Sequence, residues 1–148
     1  MAKWAIRRSP EPIGSLPMIA RLGLVVHPRR ELGAALETVA RWSEARGVDV
    51  IQVVSAGQNR SVAAPGDAAD CDVIIALGGD GTTLAALRLG AAAGVPAMGV
   101  ACGSLGALTA VTAEELEGAL DRLAAGDWTA RALPALIVES DGSLRGRA

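Results

Sequence analysis

The chain has 148 residues, a formal net charge of -2, and is 51% hydrophobic and 20% charged, with a mean hydropathy of +0.35. This suits one domain with its own core and excludes a disordered or collagen-like chain. No basic excess favours nucleic acid or an anionic membrane, and three Trp without Phe or Tyr leave no platform for stacked bases.

Residues 1–20 read as a flexible arm. Lys3, Arg7 and Arg8 are followed by Pro10, Pro12 and Pro17 rather than by the apolar core of a signal peptide. Leu22 to Val26 is a continuous apolar run, the pattern of a strand buried on both faces. His27-Pro28 ends it, and a helix is expected from Pro28 to about Arg46, with Leu32, Leu36, Val39 and Ser43 on one face and Trp42 at its flank. Gly47 stops it, and Val48 to Val54 is the second strand. Residues 55–70 read as a long polar loop and a mobile segment. Cys71 to Leu77 is the third strand, running into Gly78-Gly79-Asp80-Gly81-Thr82. A helix from about Thr83 to Ala93 follows, ended by Gly94, and Val95 to Val100 is the fourth strand. The turn Gly103-Ser104-Leu105-Gly106 comes next, then a capping box at Thr112–Glu115 with Leu116, Leu120 and Leu123 on the apolar side of its helix. Gly126 ends that helix, and Trp128 to Val138 turns extended.

Strand and helix alternate from 21 to 126, which implies α/β architecture: a parallel, doubly wound, Rossmann-like sheet of about four core strands. Ligands bind such sheets beyond the carboxyl ends of the strands, where both glycine-rich stretches lie. The two cysteines, Cys71 and Cys102, make no disulfide framework and read as small core residues. With no run of about 20 apolar residues, a membrane span is not expected, and the cytoplasm, with reduced thiols, is the expected location.

The segment Gly78 to Thr82 joins a buried strand to a helix. Glycines let the backbone approach a ligand closely, and a helix start offers unpaired N–H groups suited to phosphate. Asp80 repels phosphate, so its presence calls for a separate role, whether accepting a hydroxyl proton, holding Mg²⁺ or capping the helix. No Gly-Lys-Ser/Thr follows, so this is not a Walker loop, nor is it a dinucleotide fingerprint. His27, the single histidine, makes no metal cluster; it reads as structural, with nucleotide contact as the alternative. Asp67, Asp70 and Asp72 precede a strand, at the edge opposite the site, and read as a solvated edge. Glu114, Glu115 and Glu117 suit a helix N-terminus.

GGDGTTL from Gly78 to Leu84 resembles the signature of a superfamily containing NAD kinases, diacylglycerol and sphingosine kinases and 6-phosphofructokinases. GVACGSLGALT from Gly99 to Thr109 looks like the second motif of NAD kinases, and the resemblance spans about Arg21 to Val138. It implies phosphoryl transfer from ATP, or polyphosphate, to the 2′-hydroxyl of NAD, with Mg²⁺. Asp80 is then the catalytic base, with Gly78, Gly79, Gly81, Thr82, Gly103 and Gly106 around the nucleotide.

Departures are Ala101 in place of the family's Asn, Ala107 in place of its Phe, and Ala85 where many members carry Arg, with Arg88 one turn on. The family's second, mostly β domain has no counterpart in this chain; 127–148 resembles only the connection into it. Two alternatives stand beside an N-terminal half of a kinase: a non-catalytic nucleotide-binding or regulatory module, and a lipid-kinase relative. The expected partners are small-molecule nucleotides and a second copy of the chain, self-associating through Trp128 to Val138.

Overall fold

A computed structural model describes residues 18–135. The arm over residues 1–17 and the end of the connection, 136–148, lie outside the described residues. The chain divides into two compact units, Ser15–Trp128 and a second formed by Met1–Gly14 and Thr129–Ala148. Of the second unit, residues 129–135 are described and carry no helix or strand.

The larger unit runs β1 (Arg21–Val26), α1 (Gly33–Arg46), β2 (Asp49–Val53), β3 (Ala64–Gly66), β4 (Val73–Gly78), α2 (Asp80–Ala93), β5 (Ala97–Ala101), β6 (Thr109–Thr112) and α3 (Leu116–Ala124). All strands are parallel, in one sheet of order β3-β2-β1-β4-β5-β6. The parallel doubly wound sheet is as expected, but it has six strands rather than about four.

The two additional strands are short edges. β3 lies within the segment read as a mobile loop, and a single 3-10 turn at Ala68–Asp70 follows it. Its Pro65 and Gly66 argue against a central strand, but at an edge Pro65 needs no partner for a missing N–H. A Cβ on Gly66 would stand 2.6 Å from Ile51 Cδ1, so the smallest residue lets β3 close on β2. β6 lies ahead of the capping box, and its β-branched Thr109, Val111 and Thr112 suit an edge strand.

Alternation along the central strands builds two cores. Leu22, Leu24 and Val26 with Val73, Ile75 and Leu77 face Leu32, Ala35, Val39 and Trp42, and Leu116, Leu120 and Leu123. Val25, Ile74 and Ala76 face the other way, onto Ala86 and Leu89 of α2. α1 and α3 therefore cover one face and α2 the other. Ile19, inside the segment read as an arm, is buried in the first core. Trp42 is also core, and its Nε1–H donates to Asp121 Oδ1 of α3 at 2.8 Å. Asp72 is the N-terminal clasp of β1, accepting the backbone N–H groups of Ala20 and Arg21 at 2.8 and 2.9 Å.

Helix starts differ from the reading of the sequence. α1 begins at Gly33, not at Pro28. The backbone N–H groups of Arg29 and Arg30 donate instead to His27 Nδ1, at 3.1 and 3.0 Å, which shapes residues 27–32 as a loop. α2 begins at Asp80, so Gly81 and Thr82 belong to its first turn rather than to a loop. Gly79 is the N-cap, and a carboxylate at the first helical position suits the helix dipole. At α3 one half of the expected capping box forms: Thr112 N–H donates to Glu115 Oε2 at 2.8 Å.

Candidate functional site

The strand order reverses between β1 and β4. β1 continues to β2 on one side, and β4 continues to β5 on the other. The loops leaving the carboxyl ends of β1 and β4 diverge there, where doubly wound sheets bind ligands. His27 N–H donates to Leu77 O at 2.9 Å, which closes the base of this region. Cys102 N–H donates to Gly78 O at 2.8 Å and ties in the loop after β5.

Asp80 does not cap its helix. Its exposed carboxylate reaches across to the loop after β5, where Oδ2 accepts Ala107 N–H at 3.0 Å and Oδ1 accepts Leu108 N–H at 2.9 Å. A Cβ on Gly106 would lie 2.2 Å from Asp80 Oδ1, so this close approach requires glycine. A carboxylate has about four lone-pair sites. Two amides orient Asp80, and each oxygen keeps a further site directed elsewhere.

The remaining sequence-derived site residues have distinct placements. Gly78 is buried at the end of β4, and a Cβ there would stand 2.4 Å from Thr82 Oγ1 and 3.0 Å from His27 Cβ. Thr82 is thus packed inward, beneath the loop. Gly79 is half-buried and extended. Gly81 is exposed, and a Cβ there would meet nothing within 4 Å. Gly103 has φ of 150°, a conformation that favours glycine. Thr83 Oγ1 donates to Gly79 O at 2.9 Å, which holds the first turn of α2.

One side chain at the centre of this region was missed from the sequence. Arg30, half-buried on the loop after β1, donates from Nη1 to Cys102 O at 3.2 Å. A Cβ on Gly103 would stand 2.5 Å from the same nitrogen, and one on Gly79 would stand 3.7 Å from both terminal guanidinium nitrogens. Arg30 therefore lies against both glycine-rich stretches. The available signal was His27-Pro28-Arg29-Arg30, a basic pair directly after the carboxyl end of the first strand.

The loop after β2 supports it. Arg60 donates from Nη1 to Arg30 O at 2.6 Å and to His27 O at 3.3 Å. Gln52, buried in β2, donates from Nε2 to Arg60 O at 2.6 Å, and Gln58 donates to Val26 O at 2.6 Å. An open cleft of about 540 Å³ lies here, lined by His27, Pro28, Arg29, Gly57, Asn59 and Arg60. Asp80 is not among its lining residues.

Cys71 is buried at the foot of β4, where desolvation pushes its thiol up to about 11. Cys102 is half-buried, packed against the first core at the rim of the site; burial raises its thiol too, opposed by nearby Arg30. Ala101 is buried at the end of β5, Ala107 is exposed, and Ala85 packs against the second core. Among the described residues no group of three or more His, Cys, Asp or Glu side chains is placed to hold a metal ion. No helix of the described residues is long and apolar enough to cross a membrane.

Fold and site together define a doubly wound α/β domain whose carboxyl edge carries two apposed glycine-rich loops, one carboxylate and one guanidinium. The family described as the ATP-NAD kinase N-terminal domain matches residues 52–128. The NAD kinase of Geobacter sp. (strain M21) is 38% identical over 128 residues, covering 80% of this chain and 44% of that protein. That of Citrifermentans bemidjiense is 41% identical over 110 residues, covering 70% of this chain and 38% of that protein. Yeast NADH kinase, solved in complex with NADH, superposes with a TM-score of 0.55 at 17% identity, covering 86% of this chain and 45% of that one; this likeness concerns the fold. The chain belongs to the ATP-NAD kinase N-terminal domain family. It spans less than half the length of these curated relatives.

Proposed function

We propose that this chain is the nucleotide-binding part of an NAD kinase, which transfers a phosphoryl group from ATP, or polyphosphate, to the 2′-hydroxyl of NAD. The carrying observation is Asp80: a carboxylate at the switch-point edge, anchored by two amides yet with lone pairs to spare. Phosphoryl transfer asks of a protein mainly positioning, charge neutralisation and one group to orient the nucleophile. Asp80 fills the last role, accepting the proton of the attacking hydroxyl while its anchored oxygens hold their direction. Gly78 and Thr82 shape the strand-to-helix turn beneath it. Gly81 keeps backbone open to the nucleotide, Gly79 and Gly103 lie beside it against the Arg30 guanidinium, and Gly106 allows Asp80 its approach. The empty space over Gly81 suits a ligand arriving from outside the chain.

Mg²⁺ fits as an ion arriving with the phosphate chain, since such sites use one or two carboxylates plus phosphate oxygens. Among the described residues Asp80 is the carboxylate at this site; acting as base it would leave the ion to phosphate oxygens and water, and the ion would supply neutralisation of phosphate charge. A second reading, a nucleotide-binding module without turnover, is favoured by Ala85, Ala101 and Ala107, which offer no polar or aromatic side chain where the family resemblance expects one.

The chain spans less than half the length of its relatives, and in this reading its acceptor pocket is completed by further sequence, so these 148 residues alone are expected to give little turnover. The test is a chimera joining this chain to the remaining C-terminal part of the Geobacter sp. enzyme, assayed for NADP formation from NAD with ATP and Mg²⁺. The folded chimera is expected to be active, and Asp80→Asn to lower the rate by about 10²–10⁴-fold. A folded but inactive chimera refutes the kinase reading, and full activity of Asp80→Asn refutes the base. Self-association through Trp128 to Val138 belongs to the same reading; Leu133 in this stretch is exposed. Light scattering at high concentration is expected to show more than a monomer.

A further inference from the structure

Arginine placement across the described residues is uneven. The ion pairs present join Arg21 to Asp49, Arg41 to Glu117, Arg46 to Asp121 and Arg122 to Asp127, all on exposed surface. Arg30 has no carboxylate partner among the described residues, although it is half-buried. A guanidinium carries five N–H donors, and among the described residues the one hydrogen bond that Arg30 donates from its side chain is to Cys102 O, at the long distance of 3.2 Å.

Its backbone, by contrast, is pinned on both sides. Arg30 N–H donates to His27 Nδ1 at 3.0 Å, and Arg30 O accepts Arg60 Nη1 at 2.6 Å. Arg60 is itself held, its N–H donating to Gln58 Oε1 at 3.1 Å and its carbonyl accepting buried Gln52. With its backbone so fixed, the loop needs little further ordering on binding, and only the side chain has to reorient. What the loop presents is a cation with no carboxylate partner among the described residues, set against Gly79 and Gly103, one from each of the glycine-rich stretches that the kinase reading puts around the nucleotide. The loop after β5 is held near one end by this cation and near the other by Asp80.

We propose that Arg30 binds the phosphoanhydride chain of the phosphoryl donor at this site, with His27 and Arg60 as its positioning residues. The proposal rests on the kinase reading but names a residue which that reading did not use. The guanidinium leaves the Cys102 carbonyl and takes two phosphate oxygens in a forked contact, a geometry that arginine supplies and lysine does not. The alternative is a merely structural pin on the Cys102–Gly103 turn.

The experiment uses the 148-residue chain and inorganic tripolyphosphate, titrated by calorimetry, with ATP in a separate arm and NAD titrated into the chimera, where the acceptor pocket is complete. Arg30→Met is expected to weaken tripolyphosphate and ATP by about tenfold or more, with NAD changed by less than about twofold. Arg30→Lys is expected to recover only part of the loss. Arg29→Met removes the same charge one residue away, from an exposed position lining the neighbouring cleft, and is expected to weaken binding clearly less than Arg30→Met does. Arg60→Met is expected to weaken tripolyphosphate less than Arg30→Met does, and to add little in the double variant.

Wild-type affinity in Arg30→Met, an equal loss in Arg29→Met, or a loss confined to NAD would each overturn the proposal. So would a wild-type chain that does not bind tripolyphosphate. A structural pin would instead lower the urea midpoint of Arg30→Met and leave the tripolyphosphate affinity of the folded protein unchanged. The kinase reading is judged separately, by NADP formation in the chimera, and survives each of these results if that activity is present.

Discussion

Gly106→Ala tests how the two glycine-rich loops are joined. Gly106 is not among the glycines with positive φ, so alanine meets no backbone penalty there. Its Cβ would nevertheless stand 2.2 Å from Asp80 Oδ1, 2.7 Å from Cγ and 3.0 Å from Oδ2. The easiest relief is rotation of the Asp80 carboxylate out of the loop, which forfeits the bonds from Ala107 N–H and Leu108 N–H. Hydrogen bonds to charged groups contribute about 1.5–3 kcal/mol each when shielded. These two are exposed, so water recovers part of each, and about 1 kcal/mol apiece is the appropriate scale. The loop is then less stable by about 2 kcal/mol, which at 1.4 kcal/mol per factor of ten is about a thirtyfold change in its opening equilibrium. Amide hydrogen exchange at Ala107 and Leu108 reads this directly and should accelerate by about that factor. Asp80→Ala should give a similar acceleration, and the double variant no more than either alone. Exchange at wild-type rates in Gly106→Ala would refute the argument, because the carboxylate would then not be what holds the loop.

Two further expectations come from packing. Burial holds the Cys71 thiol at about 11 against an ordinary 9.0, so above 9 the unfolded chain loses its thiol proton first while the folded chain keeps it. Stability is then full below 9 and falls by about 2 kcal/mol as the pH rises toward 11; urea melts across that window should show the slope, and a Cys71→Ala chain with the same slope would refute it. In Gly99→Ala the new Cβ would stand 2.4 Å from Thr83 Oγ1 and 2.6 Å from Thr83 Cγ2, forcing α2 off β5 at a cost of about 1–3 kcal/mol. Urea denaturation should show that loss and its partial recovery in Gly99→Ala/Thr83→Ala.

The central sheet and its two cores were legible in the sequence because burial on both faces leaves an unbroken apolar run. Leu22 to Val26 and Val73 to Leu77 could hardly be anything but inner strands, and the glycines after the second of them mark the carboxyl edge where ligands bind. The edges were not legible. β3 is Ala-Pro-Gly, whose local preference is a turn, and its pairing comes from the neighbouring β2 through backbone bonds that no side-chain pattern reports. Asp80 could be recognised as the odd carboxylate in a glycine loop. That its oxygens lie on the amides of Ala107 and Leu108, 27 and 28 residues away, depends on how β4 and β5 pair and is written in no local stretch. Arg30 shows the same division. The sequence determined that a charged residue follows the first strand, whereas the crossing from β1 to β4 brings it against Gly79 and Gly103. Periodicity carries information about which face a residue takes; contacts between loops depend on strand order, which only the folded sheet decides.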